Sequence, residues 1–188
     1  MRILALDPGT SNYGYAVIDL RHKNGKTAFR VLENGKCEAT VRTLKTAKVM
    51  QEEMALYELW LGDLIARYGP QAIAAERYMT RGINGPTVEC VNIMIGITLS
   101  VTGKPFKIMP AATWKNAVSR QGVDLKEQYK KTMVTPHQVD AAMIGVYTGC
   151  QAYRLDQFGD LDLKKLFPTF LRQLEETSTA RLINRKVR

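Results

Sequence analysis

With 188 residues, 45% of them hydrophobic, the chain is long enough for one domain with a real core and too apolar to be disordered throughout. Its 27 Lys and Arg against 18 Asp and Glu give a formal net charge of +9, which favours a polyanionic partner such as nucleic acid over an acidic membrane surface. No apolar run reaches the roughly 18 residues of a membrane span. Cys37, Cys90 and Cys150 are widely spaced and form no C-x-x-C pair, so neither a disulfide framework nor a zinc site is indicated and a soluble, cytoplasmic protein is expected.

The apolar run Ile3 to Leu6 ends in Asp7 and is broken at once by Pro8-Gly9, which predicts a buried strand with a carboxylate at its end. Taken alone, Asp7 there either holds a metal or caps a turn. Tyr13 to Ile18 returns as a second strand, Asn24-Gly25 marks a tight turn, and Thr27 to Leu32 completes a three-stranded meander. Met50, Met54, Tyr57, Leu61, Leu64, Ile65 and Tyr68 recur at helical spacing between Lys45 and the Gly69-Pro70 stop. Ala72 to Ala75 then forms a strand ending in Glu76, and a helical crossover would set it parallel to the first, with Asp7 and Glu76 at one edge. Two such carboxylates repel unless a cation lies between them. The alternative for Glu76 is a salt bridge to an arginine such as Arg77.

The Gly-containing loop from Tyr78, with Arg77 and Arg81, suits nucleic acid through base stacking and phosphate pairing, although Tyr78 could equally be a core aromatic. A helix from Pro86 or Thr87 through Val101 is apolar on nearly every side and is expected to lie in the core or at a dimer interface. Phe106 to Met109 is a fifth strand. Thr113 is expected to cap a short helix carrying Trp114 and Lys115, and Asp124 another carrying Lys126, Lys130 and Lys131, lysines that either track phosphates or face solvent. Thr135-Pro136-His137-Gln138 has the form of a capping box opening a helix, on which His137 and Asp140 share a face. Leu163 to Leu174 reads as a last amphipathic helix interrupted near Pro168, and Arg181 to Arg188 as a basic end that grips a nucleic acid backbone or is merely solvated. A domain over residues 1–155 with a helical extension and basic tail over 156–188 is the expected organisation.

This order of elements resembles the ribonuclease H-like superfamily and, within it, the RuvC-type Holliday junction resolvases, over roughly residues 1–150. The resemblance rests on Leu6-Asp7-Pro8-Gly9-Thr10 with Gly14-Tyr15-Ala16-Val17, on Ala74-Ala75-Glu76 followed by Tyr78-Met79, and on His137-Gln138-Val139-Asp140-Ala141-Ala142. It implies an α/β fold with a mixed five-stranded sheet flanked by helices. It also implies that Asp7, Glu76, His137 and Asp140 hold two Mg²⁺ ions, with Mn²⁺ expected to work as well, since His137 stands where relatives usually carry another Asp. The implied activity is paired nicking of four-way junction DNA by a homodimer, leaving 5′-phosphate and 3′-hydroxyl ends. Lys115 and Lys126 match positions where relatives meet the DNA backbone, and Tyr78 lies one residue from the matching aromatic. The segment after Cys150 departs from the bacterial pattern and points to a bacteriophage or other divergent source. Three alternatives stay open: a related nuclease acting on flaps, other branched DNA or RNA–DNA hybrids; a junction-binding protein without activity; and the actin-like ATPase group, which shares the Asp-x-Gly-Thr loop but needs two such domains.

Overall fold

Alternation of side chains along the first strand decides the layering. In the computed structural model, which describes residues 1–77 and 85–178, strand β1 (Arg2–Asp7) sends Ile3 and Ala5 into one apolar layer and Leu4 and Leu6 into another, so both faces are covered. Strand β2 (Gly14–Lys23) runs antiparallel beside it, and β3 (Lys26–Lys36) antiparallel beside β2. The β2–β3 turn holds Asn24 and Gly25 at φ of 52° and 71°, as the Asn-Gly pair predicts. Helix α1 (Ala47–Tyr68), capped by Thr46 through the Val49 amide, crosses to β4 (Ala72–Arg77), which is parallel to β1. Helix α2 (Pro86–Thr102) leads in turn to β5 (Phe106–Pro110), parallel to β4. The sheet order is β3-β2-β1-β4-β5, the mixed five-stranded sheet expected.

Helices α1 and α2 cover the Leu4–Leu6 face. The opposite layer holds α3 (Ala111–Arg120), α5 (Pro136–Ala152) and α6 (Leu163–Thr177), with the short α4 (Leu125–Tyr129) between α3 and α5. Every residue of α5 from Gln138 to Cys150 is buried. So complete a burial requires close approach to the sheet. A Cβ at Gly145 would come within 2.7 Å of Ile18 Cγ1, and one at Gly14 within 2.1 Å of the His137 carbonyl oxygen. The expected capping box is present: Thr135 Oγ1 accepts from the Gln138 amide while Gln138 Oε1 accepts from the Thr135 amide. The Gln138 side chain also donates to Asn34 Oδ1 at 2.7 Å, and Asn34 donates to the Leu174 carbonyl at 2.8 Å. The start of α5 is thereby tied to β3 and to the end of α6.

Two local expectations are corrected. Helix α3 begins at Ala111, with Pro110 rather than Thr113 at the cap, because β5 passes directly into the helix and Thr113 falls inside its first turn. Helix α6 is not interrupted at Pro168. That residue sits on the exposed side and forfeits one backbone hydrogen bond, while burial of Phe167, Phe170, Leu171 and Leu174 holds the helix together. Helix α2 turns Val88, Cys90, Val91, Met94 and Ile97 to the core and leaves Leu99 and Val101 facing outward, so one of its apolar faces is uncovered within a single chain. The α6 side chains Leu163, Phe167, Phe170, Leu171 and Leu174 share the apolar layer of α5. All three cysteines are buried and free, and among the described residues no helix is long and apolar enough to cross a membrane.

Gly14→Ala should destabilise the protein by about 1–3 kcal/mol in a urea titration, because its methyl group meets backbone that cannot rotate away. Gly62→Ala, in the middle of α1 with nothing within 4 Å of its Cβ position, should instead stabilise by up to about 1 kcal/mol.

Candidate active site

Strands β1 and β4 end side by side. Their parallel register pairs Leu6 with Ala75, so Asp7 and Glu76 follow one step further on neighbouring strands. Ala5 and Ala74 lie in the α5 layer, and the strand period of two turns Asp7 and Glu76 to that same face. The first turn of α5, held down by Gly14 and the capping box, arrives over this edge. His137 Nδ1 donates to Asp7 Oδ2 at 2.6 Å, and Asp140 projects one turn later.

Helices α3 and α4 close the remaining side. Lys115 Nζ lies 2.8 Å from Asp140 Oδ2 and 4.0 Å from Glu76 Oε2, and sits over the Trp114 ring at 4.9 Å from its centroid. The fully buried Trp114 donates Nε1–H to Glu76 Oε2 at 3.0 Å, and the Tyr129 hydroxyl donates to Asp140 Oδ1 at 2.5 Å. Each carboxylate therefore has a donor from this chain: His137 for Asp7, Trp114 and Lys115 for Glu76, Tyr129 and Lys115 for Asp140.

Crowding of acids in a half-buried cleft moves their proton affinities. Burial, then the Asp7 charge, raises Glu76 to about 7, against the opposing pull of Lys115 and Trp114. Asp140 is raised by burial and held back by the Lys115 and Tyr129 hydrogen bonds. The hydrogen bond to Asp7 raises His137. At Lys115 burial pulls downward most strongly of any single influence, but the Asp140 hydrogen bond and the charges of Asp140, Glu76 and Asp7 together outweigh it and the ammonium is favoured.

Of the expected site residues, Asp7, Glu76, His137 and Asp140 come together at this edge, and Lys115 lies among them. Lys126 lines a groove of about 670 Å³ beside the site, together with Lys115 and Tyr129. Lys130 is exposed and paired with Glu127 at 2.7 Å, and Arg77 is exposed at the end of β4. Tyr78 and Arg81 fall outside the described residues, as does the basic end from Arg181. The expected arginine partner of Glu76 is not seen among the described residues, where Trp114 and Lys115 are its partners instead. Trp114 and Tyr129 carry no sequence signal for this role beyond being aromatic residues with polar tips on two short helices.

The donor set fits a hard divalent cation: three carboxylates and an imidazole, with an ammonium already drawn between two of the acids as a cation would be. Among the described residues, no three His, Cys, Asp or Glu side chains yet close as a finished cation cage.

No family model matches the chain. Over 80 residues it is 34% identical to the crossover junction endodeoxyribonuclease RuvC of Prochlorococcus marinus (strain MIT 9312), a stretch that covers 42% of this chain and 44% of that protein. The aligned part thus spans less than half the length of that relative. Among solved structures, RuvC of Thermus thermophilus superposes with a TM-score of 0.60 at 20% identity, covering 82% of this chain and 97% of its own. The same protein in complex with a Holliday junction substrate gives 0.60 at 18% identity, covering 81% of this chain and 96% of its own. The architecture is the ribonuclease H-like one. Within that class, the fold is the one found in the RuvC-type resolvases.

A pH dependence of stability follows from Glu76. Its folded value of about 7 exceeds the ordinary 4.5, so the stability linked to its proton is complete below 4.5 and is lost as pH rises through 7. His137 and Asp140, both raised, lose stability in the same direction. In chelator, the protein should melt at a lower temperature at pH 8 than at pH 5.5, and Glu76→Gln should show a smaller drop.

Proposed function

We propose that this protein is a divalent-metal-dependent endonuclease that resolves four-way DNA junctions. The observation that carries the reading is the meeting of Asp7, Glu76, Asp140 and His137, from three separate elements, at the carboxyl edge of a RuvC-type sheet with the Lys115 ammonium drawn among them. The RuvC names of the relatives and the net charge of +9 support DNA as the substrate.

Asp7, Glu76 and Asp140 would hold the metal through carboxylate oxygens, and His137 through a ring nitrogen. Two Mg²⁺ ions suit this set, and the imidazole makes Mn²⁺ an alternative. Ions bound there supply Lewis-acid chemistry, drawing charge from the phosphodiester and activating water. The chain's own groups do the rest. Trp114 and Tyr129 each hold one carboxylate oxygen, of Glu76 and Asp140, so these acids enter the reaction already oriented. Lys115 is partly exposed and can exchange Asp140 for a phosphate oxygen of the incoming strand. The products would be ends bearing a 5′-phosphate and a 3′-hydroxyl. Arg77, Lys126 and Lys130 would meet the junction beside the site, and Tyr78 and Arg81, next in sequence, are proposed as further DNA contacts.

A homodimer accounts for paired cuts, since a four-way junction has two-fold symmetry. Support comes from the α1–α2 side of the sheet, where Leu56, Leu59 and Leu99 are large apolar side chains at 57%, 70% and 50% exposure.

Labelled four-way junction, linear duplex, flap and RNA–DNA hybrid, each incubated with the protein and Mg²⁺ or Mn²⁺, test the reading. Paired, symmetric nicks in the junction are expected, with the rate falling about a hundredfold or more in Asp7→Asn. Preferential cutting of flap or hybrid would assign a sister activity, and binding without cleavage in either ion would leave a junction-binding protein. In analytical ultracentrifugation, Leu59→Glu should shift the protein from dimer to monomer and uncouple the two nicks; a wild type that stays monomeric on junction DNA would refute the dimer.

A further inference from the structure

Two grooves meet at Gly122 and Val123. One starts at Lys115 and Tyr129, both bonded to Asp140, and passes Lys126. The other, about 480 Å³, continues between α4 and α6, with Lys131, Lys164 and Arg172 on its walls. We propose that this α4–α6 groove is a second DNA-backbone site, which carries a duplex arm away from the Asp7–Asp140 cluster. The proposal rests on the junction-nuclease reading above.

The cations lining it differ from their neighbours. Lys130 and Lys165 are neutralised by Glu127 and Asp162, whereas Lys131, Lys164 and Arg172 are exposed and make no ion pair among the described residues. The carboxylate in the lining, Glu175, accepts from the Thr132 hydroxyl at 2.9 Å and the Met133 amide at 3.0 Å, which fixes the loop between α4 and α5 to α6. On α6, Lys164, Pro168, Arg172 and Glu175 recur at spacings of four, four and three, so they share one face. Eight residues of helix separate Lys164 and Arg172 by roughly 12 Å along the axis. That is about three to four steps of a DNA strand at 3.4 Å each. A single small anion would call for donors converging on a point; cations strung at this interval match phosphates several steps apart along one backbone. The apolar floor, Phe167 and Leu171, is buried in the core and offers nothing for an apolar peptide to cover.

Salt-dependent binding tests the groove. In an Asp7→Asn background, which prevents cutting, Lys131, Lys164 and Arg172 are together changed to Gln and fluorescence anisotropy is read on three DNAs. These are a long-armed junction, a junction truncated close to the crossover, and a linear duplex of the arm sequence. On the long-armed junction the slope of log affinity against log salt should fall by about two to three, one cation per phosphate, with binding roughly tenfold weaker at 0.15 M salt. On the truncated junction the variant and its parent should bind alike. A control changing Lys45, Lys48 and Lys104 to Gln, on the opposite side of the sheet and equal in net charge, should keep the parental slope. An unchanged slope in the groove variant, or an equal loss in the control, overturns the proposal. If the parent shows no preference for junction over duplex, the junction reading falls, and the groove is then judged by the same slope difference on the duplex.

Discussion

The close approach of α5 to the sheet is the constraint on which the rest depends. A helix whose residues 138–150 are all buried has no solvated face, so its contact with β1 and β2 must be tight and its polar first turn must be satisfied internally. Gly14 removes the side chain that would strike the His137 carbonyl, and Gly145 removes the one that would strike Ile18. The capping box satisfies an amide left at that end, and the buried Gln138 side chain is satisfied through Asn34, which in turn donates to the Leu174 carbonyl of α6. The catalytic candidates follow: His137 and Asp140 reach Asp7 because the helix has nowhere else to go. The same chain of hydrogen bonds explains why α6 packs where it does, since its last turn supplies the acceptor for Asn34.

Three carboxylates in one half-buried cleft would destabilise the fold if left alone. This chain answers with donors rather than with compensating distance. Trp114 and Tyr129 contribute hydrogen bonds that fix orientation without adding charge, and Lys115 contributes charge that can move. A buried Glu33 on the far side of the sheet shows the contrasting solution. It accepts from Tyr15, Arg67 and Tyr68, and those hydrogen bonds overcome the cost of burial and lower its proton affinity. Glu33 is committed to its partners. Glu76 is raised, and it is shared between Trp114 and the mobile charge of Lys115.

Much of this was legible in the residue order. The strand ends at Asp7 and Glu76, the parallel crossover, the Asn-Gly hairpin and the capping box at Thr135 each rest on a local rule that the packed structure had no reason to override. What was not legible depended on tertiary context. Pro168 reads as a break because its missing amide is local, whereas the burial that carries α6 past it is not. The α2 sequence reads as apolar all round, yet a helix at the margin of a layer can bury only one side of itself. Trp114 and Tyr129 could not be paired with Glu76 and Asp140, because they stand 38 and 11 residues away on helices whose angles no periodicity encodes.

His137 changes what holds the cluster together. A carboxylate at that position would face Asp7 as a like charge, and the first turn of α5 would be pushed from the sheet edge unless a cation intervened. An imidazole instead brings its own hydrogen to Asp7 Oδ2, and Asp7 in turn favours the protonated ring. The junction between α5 and β1 is therefore attractive even without metal, with Gly14 allowing the backbone contact beneath it.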